Sequence, residues 1–131
     1  MDFLLENWML LAIVIIASVT IALPYINQRR YGPEINHKTL TRLVNKRNAV
    51  IVDIRKPVDF KKGHIPNAIN LPADQIQNHI KKLNRRCPVI LVDRTGVASR
   101  TVARLLRGVG FEVYVLELGI LGWQKEGLPL S

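Results

Sequence analysis

The sequence contains a single cysteine, Cys87, among its 131 residues. No disulfide can therefore form within one chain, and nothing in the cysteine content indicates an oxidising compartment. The three histidines, His37, His64 and His79, lack the spacing that metal ligands show. We expect no metal centre, and the sequence indicates no cofactor.

Acidic and aromatic residues are also scarce. The 19 basic residues and 8 of the 10 acidic residues all follow position 28, so this part of the chain has a formal net charge of +11. A charge of this size is consistent with binding to nucleic acid, with binding to an anionic membrane surface, or with a basic face that is simply solvated. No aromatic-rich RNA-binding pattern accompanies it, and aromatic residues make up only 6% of the chain. We predict an anionic lipid surface as the partner and no nucleic acid, with a solvated basic face as the alternative.

Charged residues are absent from Asn7 to Gln28, and Trp8 to Ile26 is almost wholly apolar. A helix of this length can cross the roughly 30 Å hydrocarbon core of a bilayer. A cleaved signal peptide fits less well, because acidic rather than basic residues precede the segment and no clear cleavage site follows. A core helix would need a polar face. We predict that residues 1–28 form a retained transmembrane anchor.

The basic flank of this segment begins at Arg29 and Arg30. Because basic flanks stay in the cytoplasm, the part of the chain after the anchor is predicted to face the cytoplasm. Residues 29–35 are polar and contain Gly32-Pro33, which is typical of a linker. Residues 36–131 are then one globular domain, and the oligomeric state stays open.

From Ile35 onward, short apolar segments alternate with amphipathic ones, a pattern typical of an α/β fold with a parallel sheet. Strands are predicted at 49–54, 68–71, 89–92 and 113–116, with a marginal strand near Ile35. Helices are predicted at 39–45, 73–83, 99–109 and 120–126. In the third helix, the residues expected to face the sheet are Val102, Leu105, Leu106 and Val109, with Arg100, Arg104 and Arg107 outward.

Three segments, in order, resemble the motifs of the rhodanese family. The first comprises Val52-Asp53-Ile54-Arg55, then Asp59-Phe60, then Gly63-His64-Ile65-Pro66-Asn67-Ala68-Ile69-Asn70-Leu71-Pro72. The second is the strand, loop and helix between Pro88 and Gly110, and the third is Leu118-Gly119-Ile120-Leu121-Gly122-Trp123. The resemblance covers roughly residues 35–128. It implies a five-stranded, mostly parallel sheet flanked by helices, with an active loop at the carboxyl end of a central strand. It also implies structural roles for Asp53, Arg55, Asp59, Gly63, His64 and Trp123.

In the rhodanese family this loop carries a catalytic cysteine, whereas the corresponding position here is Asp93. A carboxylate cannot hold a sulfane sulfur, so we expect Asp93 to accept hydrogen bonds from the loop N–H groups and to repel thiosulfate. The family also commonly carries an arginine near Ala98 that holds substrate anions. We therefore predict a binding loop without sulfurtransferase activity, made of Asp93, Arg94, Thr95, Gly96, Val97, Ala98, Ser99 and Arg100.

Other candidate nucleophiles are weaker. An aspartyl phosphate on Asp93 would need Mg²⁺ held by a second carboxylate, and none is close in sequence. Ser99 suits a helix N-cap better than catalysis, because no histidine is placed near it in sequence. Cys87 precedes the strand, which puts it roughly 13 Å from the loop. Arg55 and Asp59, four residues apart, are expected to form an ion pair.

These residues predict a binding module with no catalysis of its own, similar to bacterial single-span inner-membrane proteins that carry a rhodanese-like domain on the cytoplasmic side. Its expected partners are other inner-membrane or cytoplasmic proteins, with an acidic segment received at the loop. The alternative is a sulfurtransferase or sulfur carrier that uses Cys87 or a partner's thiol.

Overall fold

A computed structural model describes residues 2–31 and 33–131. Two helices, α1 (Asp2–Glu6) and α2 (Trp8–Tyr31), precede an α/β domain. The strands of the domain are β1 (Glu34–Ile35), β2 (Val50–Asp53), β3 (Ile69–Asn70), β4 (Val89–Val92) and β5 (Val113–Leu116). Its helices are α3 (His37–Arg47), α4 (Pro57–Lys62), α5 (Ile76–His79), α6 (Val97–Gly108) and α7 (Gly119–Lys125), with a 3-10 turn at Ile80–Lys82 after α5.

The five strands form one parallel sheet in the order β1-β5-β4-β2-β3, which confirms the predicted α/β fold with a five-stranded parallel sheet. Strand β4 is central and all four of its residues are buried, as expected for a strand covered on both faces. On one face the core includes Ile76 of α5 and Leu106 of α6. On the other it includes Leu40 of α3 and Trp123 of α7. Because the strands are parallel, their carboxyl ends meet at a single edge.

The strand predictions match the structure closely, whereas the helices differ at several places, beginning with α4 and α5. Helix α4 was not predicted, because six residues are too few to show a helical period. It begins at Pro57, where the missing N–H of proline costs nothing because first-turn N–H groups have no acceptor within the helix. The helix expected at 73–83 is shorter: α5 begins only at Ile76 and passes into the 3-10 turn after His79.

Helix α6 buries two of the four residues predicted to face the sheet, Val102 and Leu106. Its buried residues are Ser99, Val102, Ala103 and Leu106, which lie at i, i+3, i+4 and i+7. Leu105 and Val109, expected inside, are 36% and 44% exposed. The prediction was wrong for Leu105 and Val109, because the buried Ser99 and Ala103 carry little hydropathy signal, although they lie on the face that packs against β4 and β5.

Helix α2 continues through Tyr31, where a linker was expected, and β1 begins at Glu34. Its apolar side chains from Trp8 to Leu23 are exposed, up to 77% at Ile21. The helix contacts α6 and β5. Within the part of the chain that the structure describes, no helix combines the length and apolar character needed to cross a membrane.

Candidate functional site

The loop after β4 is organised by the carboxylate of Asp93, which is only 6% exposed. Its Oδ1 accepts hydrogen bonds from the Gly96 N–H at 2.8 Å and from the Ser99 hydroxyl at 2.7 Å. Its Oδ2 accepts from the Ala98 N–H at 3.1 Å. The expected hydrogen bonding of Asp93 to the loop is therefore confirmed. These donors are the groups that a bound anion would otherwise engage.

The loop turns directly into α6. Gly96 occupies the N-cap position with a φ of 98°, a left-handed conformation that glycine adopts at little cost. Helix α6 starts at Val97, so Ser99 lies in its first turn and is not the N-cap that the sequence predicted. The carboxylate of Asp93 faces the first turn of α6, where the helix dipole favours negative charge.

The loop is held from the other side by the start of α7. The N–H groups of Ile120 and Leu121 donate to the carbonyl oxygens of Asp93 and Arg94, at 2.9 and 3.1 Å. Gly119 has a φ of 53°, and a Cβ there would collide with the Asp93 carbonyl oxygen. Glycine is therefore required at position 119, in the third motif, because the two backbones approach closely there.

A second carboxylate, Asp53 at the end of β2, is fully buried and paired with Arg55. Arg55 Nε lies 3.0 Å from Oδ1 of Asp53, and Nη2 lies 2.7 Å from Oδ2. The same Nη2 donates to the Gly63 carbonyl oxygen at 2.7 Å. The predicted Arg55–Asp59 ion pair is wrong, because Arg55 turns back to the strand end and α4 carries Asp59 towards the neighbouring cleft.

His64 and Trp123 make contacts that tie segments of the domain together. The ring of His64 stacks on Phe60 with centroids 3.9 Å apart, and its Nδ1 lies 3.0 Å from the Phe60 carbonyl oxygen. Its backbone exchanges two hydrogen bonds with Ser131, at 2.7 and 3.1 Å. Trp123 Nε1 donates to the Pro129 carbonyl oxygen at 2.9 Å.

A cleft of about 880 Å³ opens beside the loop at the carboxyl edge of the sheet. Of the predicted loop residues, Asp93, Arg94 and Ala98 line it. Arg100 instead pairs with Glu34, its Nε 2.6 Å from the glutamate oxygen. Sequence reasoning missed the opposite walls, which come from four separate segments. They include Lys56, Lys62, Pro72, Ala73, Asp74, Leu121, Gln124 and Leu130.

The charges of the cleft are mixed. Arg55 and Asp93 are engaged inside the protein, as described above. Three further cations line the walls, Lys56, Lys62 and Arg94, together with the carboxylates Asp59 and Asp74. The apolar part includes Leu121, which is 45% exposed. The cleft therefore offers cationic, anionic and apolar surface, and none of the described residues that line it carries a thiol.

Cys87 is half-buried and precedes β4, whereas Asp93 follows it. The whole of β4, roughly 13 Å of extended chain, lies between the two residues. The Cys87 N–H donates to the Asn84 carbonyl oxygen at 3.1 Å, in the turn that leads into the strand.

A family model described as the rhodanese-like domain matches residues 36–126. The chain belongs to the rhodanese-like domain family. This rhodanese-like domain is 45% identical over 94 residues to the uncharacterised protein YibN of Escherichia coli K12. That match covers 69% of this chain and 66% of YibN, so the chain spans slightly less than two thirds of that relative. It is also 35% identical over 92 residues to the thiosulfate sulfurtransferase GlpE of Coxiella burnetii, covering 70% of this chain and 86% of GlpE.

Solved structures share the same rhodanese-like fold. A rhodanese-related protein of Thermoplasma volcanium superposes with a TM-score of 0.70 at 26% identity, covering 76% of this chain and 97% of that one. A protein of Lactobacillus plantarum gives a TM-score of 0.71 at 27% identity, covering 88% and 97%.

Proposed function

We propose that this rhodanese-like domain is a membrane-anchored binding module that does not transfer sulfur from thiosulfate. The observation that carries the proposal is the buried Asp93 carboxylate, which holds two loop N–H groups and the Ser99 hydroxyl. Sulfur transfer by a rhodanese-type loop needs a thiolate at the site and free donors for the anion. Asp93 supplies no thiolate and uses the donors itself.

A thiosulfate-to-cyanide transfer assay on the purified full chain tests this. We expect no thiocyanate above the uncatalysed background and no persulfide on Cys87 by mass spectrometry after exposure to thiosulfate. A Cys87→Ser variant should behave like the wild type. Turnover in the wild type that disappears in Cys87→Ser would overturn the proposal.

The second candidate function is sulfur transfer or sulfur carriage by Cys87 or by a partner's thiol. It is favoured by the similarity to GlpE, a relative named as a thiosulfate sulfurtransferase. Against it stands the position of Cys87 at the opposite end of β4 from the loop. Adding a thiol-bearing acceptor to the same assay distinguishes this function, because only a sulfur carrier would pass labelled sulfane sulfur through Cys87.

Anchoring of the chain in a bacterial inner membrane, with the domain in the cytoplasm, is part of the proposal. Its support is the uncharged stretch from Asn7 to Gln28 and the basic residues that follow. In addition, the hydroxyls of Ser18 and Thr20 donate to carbonyl oxygens of their own helix, at 2.8 and 2.7 Å. Polar groups satisfied in this way suit a lipid environment.

Flotation tests the anchor. The full chain should float with phosphatidylcholine vesicles and resist alkaline extraction. Replacing Ile13 and Ile16 by aspartate should abolish flotation, because each buried charge costs about 2.5–3.5 kcal/mol at the bilayer centre. Alkaline extraction of the wild type from the vesicles would contradict a spanning helix.

For the cleft, we propose an acidic segment of another inner-membrane or cytoplasmic protein as the ligand. Lys56 and Lys62 lie on one wall and Arg94 on the loop. A photo-reactive amino acid at Val97, which is exposed beside the loop, should capture a partner in intact membranes. Lys56→Glu with Lys62→Glu should reduce that capture strongly, and an undiminished yield would argue against an acidic ligand.

A further inference from the structure

Both edges of the sheet carry basic residues, but the acidic residues are distributed very unevenly between them. The amino edge, opposite the cleft, brings together the end of α3, the turn before β4 and the end of α6. The Arg47 guanidinium pairs with Glu112 at 2.7 Å, and Arg85 lies over the Phe111 ring at 5.5 Å. The N–H of Val89 at the start of β4 donates to the Glu112 carbonyl oxygen at 2.9 Å. These contacts place three chain segments at one surface.

We call this surface the basic pole. It carries seven cationic residues, Lys46, Arg47, Lys81, Lys82, Arg85, Arg86 and Arg107. Three segments meet there, 44–49, 80–88 and 107–112. Within these three segments, the sequence has one acidic residue, Glu112. By contrast, the acidic residues of the other edge lie at or just after strand ends, or line the cleft. They include Asp53, Asp59, Asp74, Asp93 and Glu117.

The chemistry of the basic pole favours a lipid headgroup surface over nucleic acid. Single-stranded nucleic acid is bound by basic grooves that also offer exposed aromatic rings for stacking. Among the described residues of the pole, Phe111 is buried beneath Arg85 and the hydroxyl of Tyr114 lies against Glu112. The exposed apolar residue there is Val109, beside Arg107. Dispersed cations around an aliphatic side chain suit a membrane interface.

We propose that the basic pole docks on a membrane surface that contains anionic phospholipid, which rests on the anchoring of α2 proposed above. Each Lys or Arg near such a surface contributes attraction, and the tether raises the local concentration of the pole. Because the cleft lies at the opposite edge of the sheet, docking turns the cleft towards the cytoplasm. The anionic lipid then orients the domain and leaves the cleft open to protein partners.

The reactivity of Cys87 can report this docking, because Cys87 is the single cysteine and follows Arg86 directly at the basic pole. The full chain is reconstituted in nanodiscs of phosphatidylcholine, with or without about 30% phosphatidylglycerol, and the rate of Cys87 labelling by a bulky polar maleimide is measured. We expect anionic lipid to slow labelling about fivefold or more. Salt at about 0.5 M should restore the rate, because it screens the attraction.

The pole variant is Lys46→Gln with Lys81→Gln and Lys82→Gln, and it leaves Arg86 unchanged so that the thiol keeps its neighbour. The matched control removes the same charge from the cleft edge, with Lys56→Gln, Lys61→Gln and Lys62→Gln. All six side chains are exposed. Comparing the ratio of rates in the two lipids for each protein cancels differences in intrinsic thiol reactivity. The ratio should approach one in the pole variant and stay at the wild-type value in the control.

Equal labelling rates of the wild type in the two lipids would overturn the inference, as would loss of protection in the control. Binding of an RNA oligonucleotide that the pole variant abolishes, without any lipid effect, would assign the pole to nucleic acid instead. Failure of the anchor is a separate result: the chain would then not float with phosphatidylcholine vesicles, whatever the behaviour of Cys87.

Discussion

The hydroxyl of Ser99 lies 2.7 Å from Oδ1 of Asp93, and both side chains are buried. This contact joins the end of β4 to the first turn of α6. Together with the two loop N–H groups, it gives the Asp93 carboxylate hydrogen-bond partners from its own chain. These hydrogen bonds hold the loop from within the chain.

Replacing Asp93 with alanine should lower the free energy of unfolding by roughly 3 kcal/mol, because buried donors lose their acceptor. Urea unfolding of the full chain in detergent, followed by circular dichroism, measures the change. The matched control is Asp74→Ala, an exposed carboxylate of the same cleft, which should shift the value by less than about 0.5 kcal/mol. Equal effects of the two substitutions would contradict a structural role for Asp93.

Asp93→Cys should restore thiosulfate sulfurtransferase activity only weakly. A thiol would then stand at the strand end, but Ala98 offers no cation to hold the substrate anion. Ala98 is exposed on the cleft wall, so an arginine can be accommodated there. We expect Asp93→Cys with Ala98→Arg to exceed Asp93→Cys alone by about tenfold or more in kcat/KM, measured by thiocyanate formation. High activity of the single variant would show that the cysteine alone is sufficient.

Gly119→Ala should destabilise the protein far more than Gly127→Ala. Both glycines have a positive φ, 53° and 71°, so both alanines carry backbone strain of about 1–2 kcal/mol. Only at Gly119 does the added Cβ also meet the Asp93 carbonyl oxygen, whereas at Gly127 no atom of the described residues beyond its chain neighbours lies within 4 Å. Thermal unfolding of the two variants isolates the cost of the close contact. If the two variants lost similar stability, backbone strain from the positive φ would account for the whole effect.

Asp53→Ala should cost about 3–5 kcal/mol of stability, because it leaves the largely buried guanidinium of Arg55 without its carboxylate. The comparison variant is Asp59→Ala, which removes the aspartate that sequence spacing had assigned to Arg55. Its stability should remain within about 0.5 kcal/mol of the wild type. Urea titration of both variants checks the pairing that the structure shows.

The pKa of Tyr114 lies above its ordinary value of 10.0, chiefly because burial disfavours the phenolate and secondarily because of the nearby Glu112 charge. Because the pKa is raised in the folded state, the protonated tyrosine contributes to the free energy of unfolding at pH values below about 10. That contribution is lost as the pH rises through the folded-state pKa. Between about pH 9 and 11, the wild type should therefore lose more unfolding free energy than Tyr114→Phe. Parallel losses in the two proteins would contradict this.

The strands at 89–92 and 113–116 could be predicted to the residue, because buried parallel strands are short, apolar and bounded by turn residues. Asn67 of the first motif has a left-handed φ of 67°, which asparagine tolerates better than most residues. The hydrogen bonding of Asp93 followed from its place at a strand end before a helix. These features depend on local sequence, which is why the sequence suffices for them.

The cleft and the basic pole could not be predicted in the same way. Lys62, Asp74 and Leu121 meet in space only because α4, the turn before α5 and α7 converge at one sheet edge. Likewise, Arg47 reaches Glu112 across 65 residues of sequence. The partner of Arg55 was mistaken because helical spacing was assumed where the chain leaves a strand. Long-range packing decides each of these, and no local pattern encodes it.

The backbone pairing of Ser131 with His64 has a practical consequence for every experiment above. These hydrogen bonds hold Ser131 near the rim of the cleft, where the preceding residue, Leu130, forms part of the wall. Any extension after Ser131, such as an affinity tag, would emerge at the entrance and compete with an incoming ligand. Fusions for capture experiments should therefore avoid the position after Ser131.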